Sequence, residues 1–208
     1  MGRNRYRAAA REYRRLAARY DERWAFYVAA TVRETLRRLP PDAGDRMLDI
    51  ACGTGAFLRA VTADRPGIGV AGVDISSEML AVARRRLPAS AALLVAPAEA
   101  LPFRDACFDS VVTTNAFHFF RMPNEALREM RRVLRPGGTL VVTDWCDDYL
   151  TCRICDRLLR RFSAAHHRIY GSDELRALLE GEGFEAVDVQ RYRISWLWGL
   201  MTAVATRR

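Results

Sequence analysis

Met47-Leu48-Asp49-Ile50-Ala51-Cys52-Gly53-Thr54-Gly55 decides how the rest of the chain is read. Its apolar run (Met47, Leu48, Ile50, Ala51) has the composition of a strand buried on both faces, as strands of a parallel sheet are. A turn with two glycines stops the strand, and Ala56-Phe57-Leu58-Arg59-Ala60-Val61 continues with helical spacing. Strand, glycine turn and helix form the opening unit of a Rossmann-like sheet, in which a ligand meets the turn and the helix start. Two details narrow the ligand. Leu58 stands where a dinucleotide fingerprint has its third glycine. Asp49 places a carboxylate inside the strand just before the turn, which disfavours a pyrophosphate and favours a ligand carrying an ammonium group.

One strand further on, Ile68-Gly69-Val70-Ala71-Gly72-Val73-Asp74-Ile75 is apolar and ends in an acid. Asp74 lies about 20 residues past the turn, the distance at which a carboxylate accepts hydrogen bonds from ribose hydroxyls. Asp74-Ile75-Ser76 then opens a helix, with Ser76 or Ser77 as N-cap and Pro88 as the stop after Leu87. Ala91 to Ala96 reads as a third buried strand, Phe108 to Asn115 as a fourth, and Met122 to Leu134 as a surface helix. Arg135-Pro136-Gly137-Gly138-Thr139 is a sharp turn into a fifth strand, Leu140 to Asp144. Phe184 to Tyr192 and Ile194 to Thr206 alternate as a pair of strands. Upstream, Arg5 to Leu39 has helical periodicity with arginines between the apolar positions, and Pro40-Pro41 ends it.

LDIACGTG followed by GVDIS, FDSVVTTNAFHFF and LRPGGTLVVTD resembles the class I S-adenosylmethionine-dependent methyltransferases. The similarity is greatest to the small-molecule type of the ubiquinone/menaquinone C-methyltransferase group. That resemblance implies an α/β, Rossmann-like three-layer sandwich, with a mostly parallel seven-stranded sheet and a C-terminal antiparallel hairpin. It implies one domain: 1–40 a helical lid, 46–144 the cofactor-binding core, 145–170 a variable acceptor-side insertion, and 171–208 the closing helix and hairpin. The implied cofactor is S-adenosylmethionine, leaving as S-adenosylhomocysteine.

Residue by residue, the resemblance puts Ala51, Gly53 and Gly55 along the methionine part of the cofactor, Asp49 toward its ammonium and Asp74 on the ribose. Tyr20 belongs to a Tyr-Asp pair that covers the pocket. Ile75, Ala98 and Glu99 form the adenine side, where Pro97 replaces the aspartate common in the family. Asn115 ends the fourth strand near the methionine end, and His118 is the candidate general base, against which stands a packing role between Phe117 and Phe119. His166 and His167 are candidates for the acceptor side. Cys52, Cys107, Cys146, Cys152 and Cys155 read as free thiols rather than a metal site, because Cys152-Arg153-Ile154-Cys155 has no second such pair.

The 208 residues, half of them apolar, suit a single globular domain, and no apolar run reaches membrane-spanning length. The Arg-rich start has no apolar core of a secretory signal, so the expected location is cytoplasmic. The net charge of +8 comes entirely from arginine, since the chain has no lysine. The expected partner is a small-molecule methyl acceptor. A membrane surface is a second option, suggested by the basic N-terminal helix and Trp196-Leu197-Trp198, and it would suit a lipid or quinone acceptor. Nucleic acid ranks last, because no interleaved aromatic and basic motif appears. A non-catalytic cofactor-binding domain is the remaining alternative.

Overall fold

The computed structural model of the chain describes residues 24–40, 44–162 and 166–208. Its elements, in order, begin with helix α1 (Ala25–Arg38), strand β1 (Arg46–Ile50), helix α2 (Ala56–Asp64), strand β2 (Gly69–Asp74) and helix α3 (Ser77–Arg84). Strands β3 (Ala92–Val95) and β4 (Phe108–Thr114), helix α4 (Pro123–Val133) and strand β5 (Leu134–Trp145) follow. Helices α5 (Leu150–Phe162) and α6 (Ser172–Gly181) and strands β6 (Phe184–Arg193) and β7 (Gly199–Arg207) complete it.

One seven-stranded sheet runs β3-β2-β1-β4-β5-β7-β6. The pairs β3–β2, β2–β1, β1–β4 and β4–β5 are parallel, whereas β7 is antiparallel to both β5 and β6. From β1 the chain winds outward to β3, then returns to lay β4 on the other side of β1. That reversal leaves a crevice at the carboxyl ends of β1 and β4, where open α/β sheets bind ligands.

Strand alternation builds the core on both sides. Leu48, Ile50, Val111, Leu140 and Val142 point to the face covered by α4 and α6, through Leu127, Met130, Leu175 and Leu179. Met47, Val112 and Val141 point the opposite way, to Phe57, Leu58 and Val61 of α2 and Leu80 and Ala83 of α3. Val32 and Leu36 of α1 pack on this second side. The sandwich, the parallel core and the antiparallel closing pair are as the sequence implies.

Four local readings change. Ala92–Val95 is an edge strand, not a buried one: Leu94 and Val95 are 40% and 57% exposed because no strand lies beyond them. Strand β5 starts at Leu134, which pairs with Phe108, and Arg135–Gly138 loops out before Thr139 pairs with Ser110. The C-terminal pair is joined by a longer turn, with the Ile194 N–H donating to the Trp198 carbonyl at 3.0 Å, so Trp196-Leu197-Trp198 is turn rather than strand. Helix α3 ends at Arg84, and a turn carries the chain to Leu87. Ser76 is the N-cap, accepting from the Met79 N–H at 3.2 Å.

Candidate functional site

The glycine turn is shaped by its backbone. Ala51, Gly53 and Gly55 all have positive φ (59°, 54° and 76°), and Gly55 caps the start of α2. An added Cβ at Gly53 would meet nothing within 4 Å, so its bare side opens onto free space. At Gly55 it would meet Leu87 at 3.0 Å and Ala83 at 3.2 Å, so this glycine lets α2 approach the end of α3. The Asp74 carboxylate holds the turn from the neighbouring strand: one oxygen accepts from the Gly53 N–H at 2.9 Å, the other from the Ser76 N–H at 2.8 Å. These N–H groups, with that of Ile75 beside them, use part of its four acceptor positions and leave the rest for a ligand. Burial pushes its pKa up, opposed by those backbone N–H groups.

A single cavity at the strand ends gathers most of the predicted site. Ala51, Gly53, Asp74, Ile75, Ala98, Glu99 and Asn115 line it. Asp49 lies fully buried beside the turn without reaching the lining, and Gly55 is likewise outside it. Tyr20 lies outside the described residues. Sequence reasoning missed several wall residues: Val28 and Val32 of α1, Thr54, Met79, and the ring pair Phe119 and Phe120. The helical spacing of Val28 and Val32 was the available signal, but nothing local tells which face of a helix meets a cavity.

Two acids in this region lack counter-groups. Among the described residues, neither carboxylate oxygen of Asp49 nor of Glu99 has a hydrogen-bond partner, although all four atoms are buried. Burial, reinforced by the Asp74 charge, holds the Asp49 pKa well above the usual carboxylate range. The Cys52 thiol is pushed up too, by burial and then by Asp49 and Asp74. Buried acids without donors are costly, so a ligand bringing N–H and O–H groups relieves the site. The free space over Gly53, the open acceptor positions of Asp74 and these orphaned acids fit an aminoacyl nucleoside such as S-adenosylmethionine.

Asn115 is set by a chain of hydrogen bonds. The Tyr27 hydroxyl donates to Asn115 Oδ1 at 2.6 Å, and Trp145 Nε1 donates to the Tyr27 oxygen. An indole N–H can only donate, so the phenol proton is directed to the amide oxygen. The NH2 end of Asn115 is left for the cavity. Asn115 itself has φ 54°, and its N–H donates to Thr143 O at 2.8 Å.

His118 stands apart from the cavity lining. Its Nδ1 lies 2.7 Å from Asp144 Oδ1, and its backbone N–H donates to Asp144 Oδ2 at 2.8 Å. The ring stacks on Trp145 at 5.4 Å and neighbours His166 at 5.2 Å. His166 pairs in turn with Asp156 at 2.8 Å, and burial lowers its pKa against the pull of that acid. Neither His166 nor His167 reaches the cavity. These rings brace the segment after β4, with the His167 and Arg168 N–H groups donating to the His118 carbonyl. All five cysteines are free, and among the described residues no three His, Cys, Asp or Glu side chains gather as a metal site.

Known proteins share the domain and the fold. Residues 48–142 match the methyltransferase domain family. An O-methyltransferase of Penicillium expansum is 34% identical over 169 residues, covering 77% of this chain and 59% of the relative. A demethylmenaquinone methyltransferase of Thermus thermophilus is 42% identical over 106 residues, covering 50% and 48%. The chain thus spans about half the length of the curated relatives it matches. Among solved structures, a SAM-dependent methyltransferase from Thermotoga maritima superposes with a TM-score of 0.79 at 25% identity, covering 96% of this chain and 99% of the other. With its glycine turn, strand-end acid and sheet order, the chain carries a methyltransferase domain over residues 48–142 and is similar to the class I S-adenosylmethionine-dependent methyltransferases, the ubiquinone/menaquinone C-methyltransferase group among them.

Proposed function

We propose that the chain transfers a methyl group from S-adenosylmethionine to a small-molecule acceptor in the cavity at the strand ends. The observation that carries the reading is Asp74, whose carboxylate is held by the Gly53 and Ser76 N–H groups yet keeps acceptor capacity toward the cavity. When bound, the cofactor supplies a methyl group already activated on a sulfonium. The protein's task is therefore to bind, align and exclude water more than to activate. Asp74 takes the ribose hydroxyls, Asp49 balances the ammonium, and Ile75, Ala98 and Glu99 bound the base.

The acceptor meets the remaining wall. Val28, Val32, Phe119 and Phe120 are apolar, and the Asn115 NH2 offers donors among them. That combination suits a flat, largely apolar acceptor with an oxygen or nitrogen lone pair near the reacting atom. His118 serves as a brace in this reading, not as a base, because its ring is tied to Asp144 outside the lining. Five free thiols accord with a reducing compartment, the cytoplasm. Among the described residues, no helix is long and apolar enough to cross a membrane.

One relative is named for transfer to oxygen and another for demethylmenaquinone, so the atom methylated is left to experiment. The test incubates the full chain with methyl-labelled S-adenosylmethionine and a panel of phenols, quinols and amines. Label transfer to one class, lost in Asp74→Ala, is expected. Binding of S-adenosylhomocysteine without transfer to any acceptor, including extracts of a deletion strain, would favour a cofactor-binding module instead.

A further inference from the structure

Helix α5 turns an unusual face away from the sheet. Leu150, Ile154 and Leu158 recur every fourth residue and so form one line along the helix. They are 66%, 49% and 56% exposed. Arg153, Arg157 and Arg161 run beside that line and are exposed as well. The opposite side, Cys152, Cys155 and Leu159, packs into the cluster around Tyr27 and Trp145, so the aliphatic line is no part of the core. Arg153 pairs with Asp147 at 3.6 Å, whereas Arg157 and Arg161 have no ion pair among the described residues. The single acid of the helix, Asp156, is buried between His166 and Arg160, at 2.8 and 2.5 Å.

The first turn of α5 abuts the turn between β6 and β7. Cys152 Sγ lies 3.2 Å from the Gly199 carbonyl, and the Arg193 guanidinium sits 4.6 Å over the Tyr149 ring. Arg193 also donates to the Trp196 carbonyl at 2.8 Å, which holds the tip of that turn. Trp196 itself is 81% exposed.

We infer that this face, α5 together with the Trp196 turn, docks on an anionic lipid surface. Three exposed aliphatic side chains need apolar cover, and the guanidiniums beside them need negative charge in the same plane. A layer of anionic headgroups over acyl chains offers both, and an indole settles at the boundary between them. Other occupants match less well. A second copy of the chain would set unpaired arginines against the same arginines. The chain's own residues 1–23 carry eight arginines against three acids, again the wrong sign. Because α5 backs onto the cluster holding Tyr27 and Trp145, docking would bring the acceptor side of the cavity close to the lipid. The inference stands on surface geometry and charge and does not depend on the methyl-transfer reading.

Sedimentation with vesicles tests it without any assay of activity. The full chain is mixed with vesicles of phosphatidylcholine alone, or with about one third phosphatidylglycerol added. It is expected to sediment with the anionic vesicles only, and to be released by high salt. Ile154→Asp combined with Leu158→Asp should lower the partition coefficient about tenfold or more, with the thermal midpoint unchanged because both side chains are exposed. Equal binding to both vesicle types, binding to neither, or unchanged partitioning of the double variant overturns the inference. So does a concentration-dependent dimer that the double variant abolishes, which would assign the face to a second copy. A lowered thermal midpoint would assign it to the chain's own residues and overturns it equally.

Discussion

Asp49 and Tyr27 show how single residues tune the site. Asp49 is a buried carboxyl with no donor, held with its pKa well above the usual range by burial and by Asp74. In the window between its unfolded and folded pKa values, the folded chain keeps a proton that the unfolded chain has lost. Stability therefore falls as pH rises through that window. Asp49→Asn removes this dependence: as pH rises above the ordinary carboxylate range the wild type should lose thermal stability relative to the variant. The same variant should bind S-adenosylhomocysteine about tenfold or more weakly, since an amide cannot ionise in response to the ligand ammonium as the Asp49 carboxyl can. Equal pH slopes in the two proteins would refute the account of Asp49. Tyr27→Phe should cost about 1–3 kcal/mol of stability, because it strands the buried Trp145 N–H and frees the Asn115 amide to turn. Chemical denaturation of both proteins measures this, and a change within error would mean that the hydrogen-bond chain is not formed.

At the scale of elements, legibility followed locality. The β1 turn could be read because a strand, two glycines and an N-terminal helix turn are adjacent in sequence, and Asp74 because its strand is the next one. Ser76 could be read as a cap because capping is local. The edge position of β3 could not: Ala-Leu-Leu-Val reads alike in the middle and at the rim of a sheet. Nor could the Tyr27–Asn115 contact, which joins residues 88 apart. The role of Gly55 was hidden for the same reason, since Leu87 and Ala83, not a ligand, crowd it. Gly72 is another such position. A Cβ there would lie 2.7 Å from Cys52 Sγ, 2.9 Å from Leu93 and 3.0 Å from Leu58. Gly72→Ala should overpack the β2 interface and cost about 1–3 kcal/mol, read as a lower midpoint in urea. A neutral result would mean that the second core cluster is looser than its geometry implies.

Over the whole molecule, the sheet order places β1 and β4 side by side with the chain reversing between them, and every part of the candidate site descends from that reversal. Helix α1, β4 and β5 meet above it through the hydrogen bonds of Tyr27 with Asn115 and Trp145. The reading as a methyltransferase therefore rests on one claim, that Asp74 holds the ribose of S-adenosylmethionine. Equilibrium titration of the full chain with S-adenosylhomocysteine and with NADH tests it most directly, alongside a folded Asp74→Ala variant. The account predicts binding of S-adenosylhomocysteine and not NADH by the wild type, weakened in the variant by about 1.5–3 kcal/mol for each hydrogen bond lost, before compensation. Binding of NADH without S-adenosylhomocysteine, or an unchanged dissociation constant in the variant, would contradict it.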